Sequence, residues 1–255
     1  MARREKRAQG PLPPPLPPER RTVGQLVAEA IRLYGRHFLR ALPLGILVAV
    51  LNQVSFGGTR WAVATVLVVA APLLSLAYAD ASRLAAGTSP SRRSWLVAVV
   101  AGSLVFFPAA LLFPWFALAA VLWLALAGLA VPAAVVEGGT VRDALRRGVA
   151  LGRADYVHAA GSLATLVLLF FLARWGLALL LESQADNTVR TAIFLADTVL
   201  GPLLFLGAAL LYVDQEARLR SRGEHGKERD ADVPDADHTD REGRPDSARE
   251  PGAAS

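Results

Sequence analysis

The 255-residue chain is 53% hydrophobic and has a mean hydropathy of +0.38, although both of its ends are polar. The chain has no cysteine, which excludes disulfides and cysteine-ligated zinc, and no two of its four histidines have metal-ligand spacing on a helix, so we expect neither a metal nor a cofactor. The net charge of +5 comes from arginines that border apolar segments, which favours anionic lipid headgroups over nucleic acid as their partner.

Residues 1–21 form a basic, proline-rich segment. Its sequence, MARREKRAQGPLPPPLPPERR, cannot bury a core, and we predict disorder with polyproline II character. The PLPPPLPP tract is typical of a plain spacer, and the alternative is that it binds a cytoplasmic protein partner through an SH3-like groove. Because no short apolar core with a cleavage site follows Met1, we expect the first membrane segment to be an uncleaved anchor.

An amphipathic helix is predicted directly after this segment. Thr22 and Gln25 have the spacing of a capping box, and apolar residues then recur with helical periodicity up to Tyr34. This pattern predicts a helix lying on the inner leaflet, where Arg32 and Arg36 would contact anionic headgroups.

Six apolar segments then meet or approach the length of about 20 helical residues that crosses a hydrocarbon core of ~30 Å. They lie near 38–56, 59–80, 94–112, 115–136, 156–181 and 191–213. We therefore predict an all-α fold, a polytopic bundle of six transmembrane helices in three hairpins with amphipathic interfacial helices. The membrane domain would cover residues 22–220, and the charged tail at 221–255 is predicted to be disordered. Five prolines within or at the ends of spans could kink their helices: Pro43, Pro72, Pro108, Pro132 and Pro202.

Arginines are concentrated in alternate connections, which predicts the orientation of the chain. Both terminal flanks, the connection containing Arg92 and Arg93 and the connection before the fifth span are basic, so we place them in the cytoplasm. The other connections are short and nearly neutral or mixed in charge. An aromatic belt is predicted as well, with tyrosines at the inner ends (Tyr34, Tyr78, Tyr156 and Tyr212) and tryptophans toward the outer ends (Trp61, Trp115 and Trp175).

A second capping box opens a basic amphipathic helix before the fifth span. Thr140 and Asp143 form the box, with Val141, Leu145 and Val149 on one side of the helix. Aligning Thr22 with Thr140 indicates a weak internal repeat, each unit being an interfacial helix followed by a membrane hairpin. Anionic headgroups are predicted to contact Arg92 and Arg93 in the second connection and Arg142, Arg146, Arg147 and Arg153 here.

Three stretches carry a resemblance to a known family: TVGQLVAEAIRLYGRHF, VPAAVVEGGTVRDALRRGVALGRADYVHA and LLYVDQEARLR. Over roughly residues 22–220 the chain resembles the bacterial integral membrane family named after the membrane domain of glycerophosphoryl diester phosphodiesterase. The closing segment departs from the usual tyrosine–aspartate–arginine ending, with Gln215 and Glu216 after Asp214. The resemblance implies a bacterial cell-membrane protein whose relatives' phosphodiester chemistry belongs to a separate barrel domain that this sequence does not contain, so we expect no enzyme activity.

Two charged residues fall inside predicted spans at similar depth. Arg174 lies about 12 Å from the outer end of the fifth span and Asp197 about 10 Å from that of the sixth, at roughly 1.5 Å per residue. A lone charge there costs at least ~2.5–3 kcal/mol, which favours pairing. The pair could be a static lock, with outward snorkelling of Arg174 as an alternative, or it could be a substrate or proton site. Asn52 and Gln53 are predicted to form interhelical hydrogen bonds.

Two function classes follow from these patterns. The favoured class is a non-enzymatic membrane scaffold, assembly factor or lipid-organising component, whose basic helices contact anionic lipid, a membrane protein or a cytoplasmic protein. The alternative is a small transporter or lipid-handling permease with a site near Arg174 and Asp197. A water-accessible pocket that reaches Arg174 would favour the alternative, and a dry, packed bundle would favour the first class.

Overall fold

The computed structural model describes residues 21–231, and their side chains as far as Ser221. Within this range the chain consists of helices and short connections, with no strand. The helices are α1 (Val23–Arg36), α2 (Phe38–Ser55), α3 (Arg60–Ala86), α4 (Arg92–Leu112), α5 (Ala117–Ala127), α6 (Ala130–Val136), α7 (Val141–Ala154), α8 (Tyr156–Leu180) and α9 (Asp186–Ala231).

Six helical stretches are long and apolar enough to cross a membrane, and the predicted all-α bundle is confirmed. They are Phe38–Ser55, Arg60–Ala86, Arg92–Leu112, Ala117–Val136, Tyr156–Leu180 and Asp186–Ser221. Large apolar side chains point outward from the middle of these helices: Val69 is 73% exposed and Leu168 58% exposed. A bundle surrounded by water would need polar residues at such positions, so the chain is a membrane protein.

The helices alternate in direction, and we name the two ends of the bundle by their charge. The basic end contains the starts of α2, α4 and α8 together with α1 and α7, and the opposite end contains the connections α2–α3, α4–α5 and α8–α9. Side chains cap helices at both ends: Thr59 accepts from the Ala62 amide and Ser91 from the Ser94 amide. At the basic end the chain reverses between α6 and α7 through Gly138 and Gly139, whose φ angles of 74° and 91° favour glycine.

Helices α1 and α7 share one local design, as the predicted repeat requires. Each has 14 residues and opens with a capping box: the Thr22 amide donates to Gln25 Oε1 at 2.9 Å and the Thr140 amide to Asp143 Oδ2 at 3.1 Å. Hydrogen bonds from Thr140 also lower the pKa of Asp143. After one intervening residue, each helix is followed by a long apolar helix, α2 or α8.

The packing of α7 differs from its sequence-based interpretation. Its buried face consists of small residues together with Leu151, and a side chain at Gly148 would overlap the backbone of Ala130 on α6. Gly152 lies equally close to the backbone of α5. Leu145 and Val149, which lie on the predicted apolar side of this interfacial helix, are only partly buried and pack against an apolar cluster of the bundle. The helix therefore binds chiefly to protein and presents its arginines outward.

The fourth span is broken at Gly128 and Leu129, between α5 and α6. Pro132 favours this break, because it has no amide hydrogen to donate to the Gly128 carbonyl, four residues earlier, and its ring crowds that carbonyl. Pro43, Pro72, Pro108 and Pro202 lie inside continuous helices.

Two observations concern the margins of the predicted membrane domain. Residues 1–20 and 232–255 lie outside the described range, but Arg21, assigned to the disordered segment, contacts Asp214. Helix α9 runs to Ala231, past the predicted start of the tail at residue 221, because residues 216–231 are rich in Glu, Arg and Lys, which favour helix. By internal contacts, residues 220–255 form a unit separate from 1–219.

The aromatic residues predicted to form a belt differ in exposure: two tryptophans are well exposed, whereas three of the four tyrosines are buried. Trp61 and Trp175 are 72% and 69% exposed. Tyr34, Tyr78 and Tyr212, by contrast, are buried in the bundle. The Tyr78 hydroxyl donates to the Ala208 carbonyl and the Tyr212 hydroxyl to Glu137 Oε1. Buried tyrosines usually have such a partner for the hydroxyl, although the Tyr34 hydroxyl has none among the described residues. Periodicity alone does not reveal this burial.

Candidate functional site

The two charged residues predicted inside the spans lie together toward the opposite end of the bundle. Arg174 Nε on α8 is 3.3 Å from Asp197 Oδ1 on α9, and the Arg174 guanidinium also lies 5.9 Å from the centre of the Phe170 ring. Asp197 is 1% exposed, whereas the Arg174 side chain is 20% exposed. The carboxylate is therefore the more fully desolvated partner of this pair.

Helix α2 contributes an amide to the same place. Asn52 Nδ2 donates to Asp197 Oδ2 at 2.9 Å, and the next residue, Gln53, donates to the Arg190 carbonyl at 3.2 Å. Both amides thus form interhelical hydrogen bonds. We call Asn52, Arg174 and Asp197 the polar triad.

Close contact between α2 and α9 makes the Asn52–Asp197 bond geometrically feasible. A side chain at Gly45 would overlap the Thr198 carbonyl, and a Cβ at Gly201 would lie 2.9 Å from Gly45 Cα. Small residues allow the two backbones to touch, which is a common way for helices to associate in membranes. The crossing places Asn52 of α2 and Asp197 of α9 side by side.

A cavity of about 270 Å³ extends from the polar triad into the bundle. Asn52 and Arg174 line it at one end, while Tyr78 and Leu211 line it toward the basic end. Nearly all of its surface is apolar, contributed by α2, α3, α4, α5, α8 and α9. From Arg174 to Leu163 on α8 it follows the helix over roughly 16 Å, at about 1.5 Å per residue.

The shape and lining of the cavity determine which ligands it can hold. Its volume is just below the range of about 300–1,000 Å³ that small-molecule sites occupy. Its length is close to half of a ~30 Å hydrocarbon core. One acyl chain of a lipid also extends over about half of that core. The arrangement suits a slender, apolar molecule with one polar end at the triad.

A second polar cluster, at the basic end, was missed by the sequence reasoning. Asp214 and Gln215 on α9 are both fully buried there. Arg21 Nη1 donates to Asp214 Oδ1 at 3.0 Å, and Gln215 donates to the Asp155 carbonyl at 3.2 Å. Arg218 donates to Asp155 Oδ2 at 2.6 Å and to the Arg21 carbonyl at 2.9 Å.

Two further contacts extend this cluster. Glu137 Oε1, just after α6, accepts from the Tyr212 hydroxyl and from Arg147 Nε, each at 2.8 Å. His158 Nε2 lies 3.2 Å from Arg218 Nη2. We call the whole set the basic-end network: it ties the start of α1 and helices α6, α7, α8 and α9 together. A polar run at the end of an apolar segment, DQEAR, was the sequence signal for it.

The arginines predicted to contact lipid fall into two groups. Arg147 is engaged with Glu137, and Arg32 and Arg36 both pair with Glu29, which neutralises part of the charge of α1. The other group is exposed at the basic end and forms no ion pair with a described residue: Arg92, Arg93, Arg142, Arg146 and Arg153.

Within residues 21–231, no group of three or more His, Cys, Asp or Glu side chains is arranged to hold a metal ion. Compared with models of known protein families, with curated proteins and with solved structures, the chain matches none.

Proposed function

We propose that this chain is a multi-pass protein of the bacterial cell membrane that handles a single-chain lipid inside its helix bundle. The cavity carries this proposal, because it is apolar along its length, has room for about one acyl chain and ends at the polar triad. Of the two classes that the sequence left open, the pocket reaching Arg174 favours lipid handling. We assign the triad a binding role and no catalytic role.

The proposed orientation places the basic end and both termini in the cytoplasm. It is supported by the exposed arginines at the start of α4 and on α7, which form no ion pair with a described residue, because the cytoplasmic ends of membrane spans carry an excess of arginine. The polar triad then lies toward the outer leaflet, and the bound chain would point toward the middle of the bilayer.

Photoaffinity labelling of the purified protein in lipid nanodiscs tests the cavity. A palmitoyl lipid with a photoreactive group near its chain terminus should label Leu163 or Leu211, which line the inner part of the cavity, in addition to outward-facing residues such as Leu168 that contact the bilayer. Ala208→Phe should reduce this labelling because the ring fills the cavity, whereas Ala173→Phe on the exposed side of α8 should not. Labelling confined to outward-facing residues would contradict the proposal.

A second function, organisation of anionic lipid, is favoured by the exposed face of α7. Arg142, Arg146 and Arg153 line a shallow groove there together with apolar Val141 and Leu145. Each arginine near an anionic surface contributes about 1 kcal/mol of attraction.

Native mass spectrometry tests this second function. The triple change Arg142→Gln, Arg146→Gln and Arg153→Gln should remove bound anionic lipid without affecting neutral lipid, because only the headgroup attraction is lost. Arg60→Gln at the opposite end is the control, since Arg60 is exposed too. An equal effect of both variants would show that the α7 groove has no special affinity.

A further inference from the structure

Arg174 is the only charged residue among the described residues that line the cavity, and its counter-ion lies outside the lining. Arg174 Nε faces Asp197 Oδ1 at 3.3 Å, whereas the two Nη atoms donate no hydrogen bond to a described residue. The guanidinium carbon is 5.9 Å from the centre of the Phe170 ring, which also lines the cavity. One edge of the guanidinium group is therefore held by the protein, and the Nη edge is left for a molecule in the cavity.

The other polar side chains on the cavity wall are bonded to protein. Asn52 Nδ2 donates to Asp197 Oδ2, and the Tyr78 hydroxyl donates to the Ala208 carbonyl. A guanidinium group donates hydrogen bonds but accepts none. The polar end of a ligand at Arg174 must therefore be a hydrogen-bond acceptor.

A carboxylate is the acceptor that fits this edge best. Arginine binds carboxylates through two parallel hydrogen bonds, which are stronger than bonds between neutral groups. Asp197 repels a second negative charge, but it lies behind the lining, and Coulomb energy falls with distance, so the attraction of the nearer Arg174 dominates. The cavity of about 270 Å³ is small, which favours a compact anionic head over a bulky one.

We propose that the ligand is the anion of a long-chain fatty acid, whose carboxylate binds the Nη edge of Arg174 while its chain fills the apolar cavity. Asp197 acts through Arg174, because it holds the Nε edge and so orients the Nη edge. This inference rests on the proposed function, since it identifies the polar head of the single-chain lipid that the cavity holds.

Competition against the photoreactive palmitoyl lipid tests the inference with the unmodified protein in nanodiscs. At a pH at which its carboxyl group is ionised, palmitate should displace the probe from Leu163 and Leu211 at a mole fraction about tenfold lower than methyl palmitate does, the difference between a charge-assisted and a neutral hydrogen bond. Equal displacement by the two would overturn the inference, and stronger displacement by hexadecyl phosphate would overturn the choice of a carboxylate. If no competitor displaces the probe from the cavity, the proposed function itself fails.

Two near-isosteric variants provide an independent measurement. Arg174→Gln should abolish the advantage of palmitate over methyl palmitate, because the positive charge is lost. Asp197→Asn should increase this advantage, because the repelling charge is lost while an amide oxygen can still accept from Arg174 Nε. Arg60→Gln, in an exposed arginine at the same end, should leave the advantage unchanged. Survival of the advantage in Arg174→Gln, or its loss in Asp197→Asn, would refute the assignment, and if neither variant folds, the competition with the unmodified protein decides alone.

Discussion

Removing one member of the Arg174–Asp197 pair should destabilise the bundle, and the two single changes should differ in size. In Arg174→Leu, a carboxylate that is 1% exposed loses its counter-ion, which costs on the order of 3–5 kcal/mol. The hydrogen bond from Asn52 and proton uptake by Asp197 both reduce this cost, so about 3 kcal/mol is the better figure.

Asp197→Leu should cost less. The remaining guanidinium is on a side chain that is 20% exposed and long enough to reach the membrane surface, and the change leaves the Asn52 amide without its acceptor. Together these effects amount to about 1–3 kcal/mol. In the double variant no unpaired charge is left, and we expect a coupling energy of about 1–3 kcal/mol in favour of the pair.

Unfolding of the four proteins by a denaturing detergent, titrated into mixed micelles, measures these differences. Arg60→Leu serves as a control, because Arg60 is exposed at the same end. If the loss of stability in the double variant equals the sum of the losses in the two single variants, the pairing is refuted. A larger loss for Asp197→Leu than for Arg174→Leu would refute the argument from burial.

The remaining predictions concern the packing and the orientation. Gly45→Ala should cost about 1–3 kcal/mol in the same unfolding titration, because the new methyl group overlaps the Thr198 carbonyl. Gly161→Ala has open space and should be neutral or stabilising by up to about 1 kcal/mol, so equal effects would contradict the α2–α9 crossing. Single cysteines can be introduced into this cysteine-free chain to test the orientation. In intact cells an impermeant reagent should label Ser183→Cys but not Ser91→Cys, and the reverse labelling pattern would show that the topology is opposite to the proposed one.

The spans and the capped helices were predictable from sequence because their signals are local. Apolar length located the six membrane-crossing stretches, and the Thr22 and Thr140 capping boxes marked helix starts. The approach of Arg174 to Asp197 was also predictable, because a charge in hydrocarbon requires a partner at its own depth.

The cavity and the basic-end network depend instead on how distant helices pack. Nothing in the sequence around Asp214 indicates that Arg21, at the far end of the domain, lies against it. The burial of Tyr78 and the docking of α7 through Gly148 are likewise determined by neighbouring helices. A periodic pattern shows which face is apolar but does not distinguish lipid from protein as its partner.

The basic-end network also determines how a bound molecule could leave. At that end several hydrogen bonds join α9 to α8, to the turn after α6 and to the residue before α1. At the opposite end, α9 is linked to α2 and α8 through the single carboxylate of Asp197 and the Gln53 amide. The helices can therefore separate most easily at the opposite end. Exchange with the leaflet at that end, which is the outer leaflet in the proposed orientation, would require the rupture of only a few polar contacts.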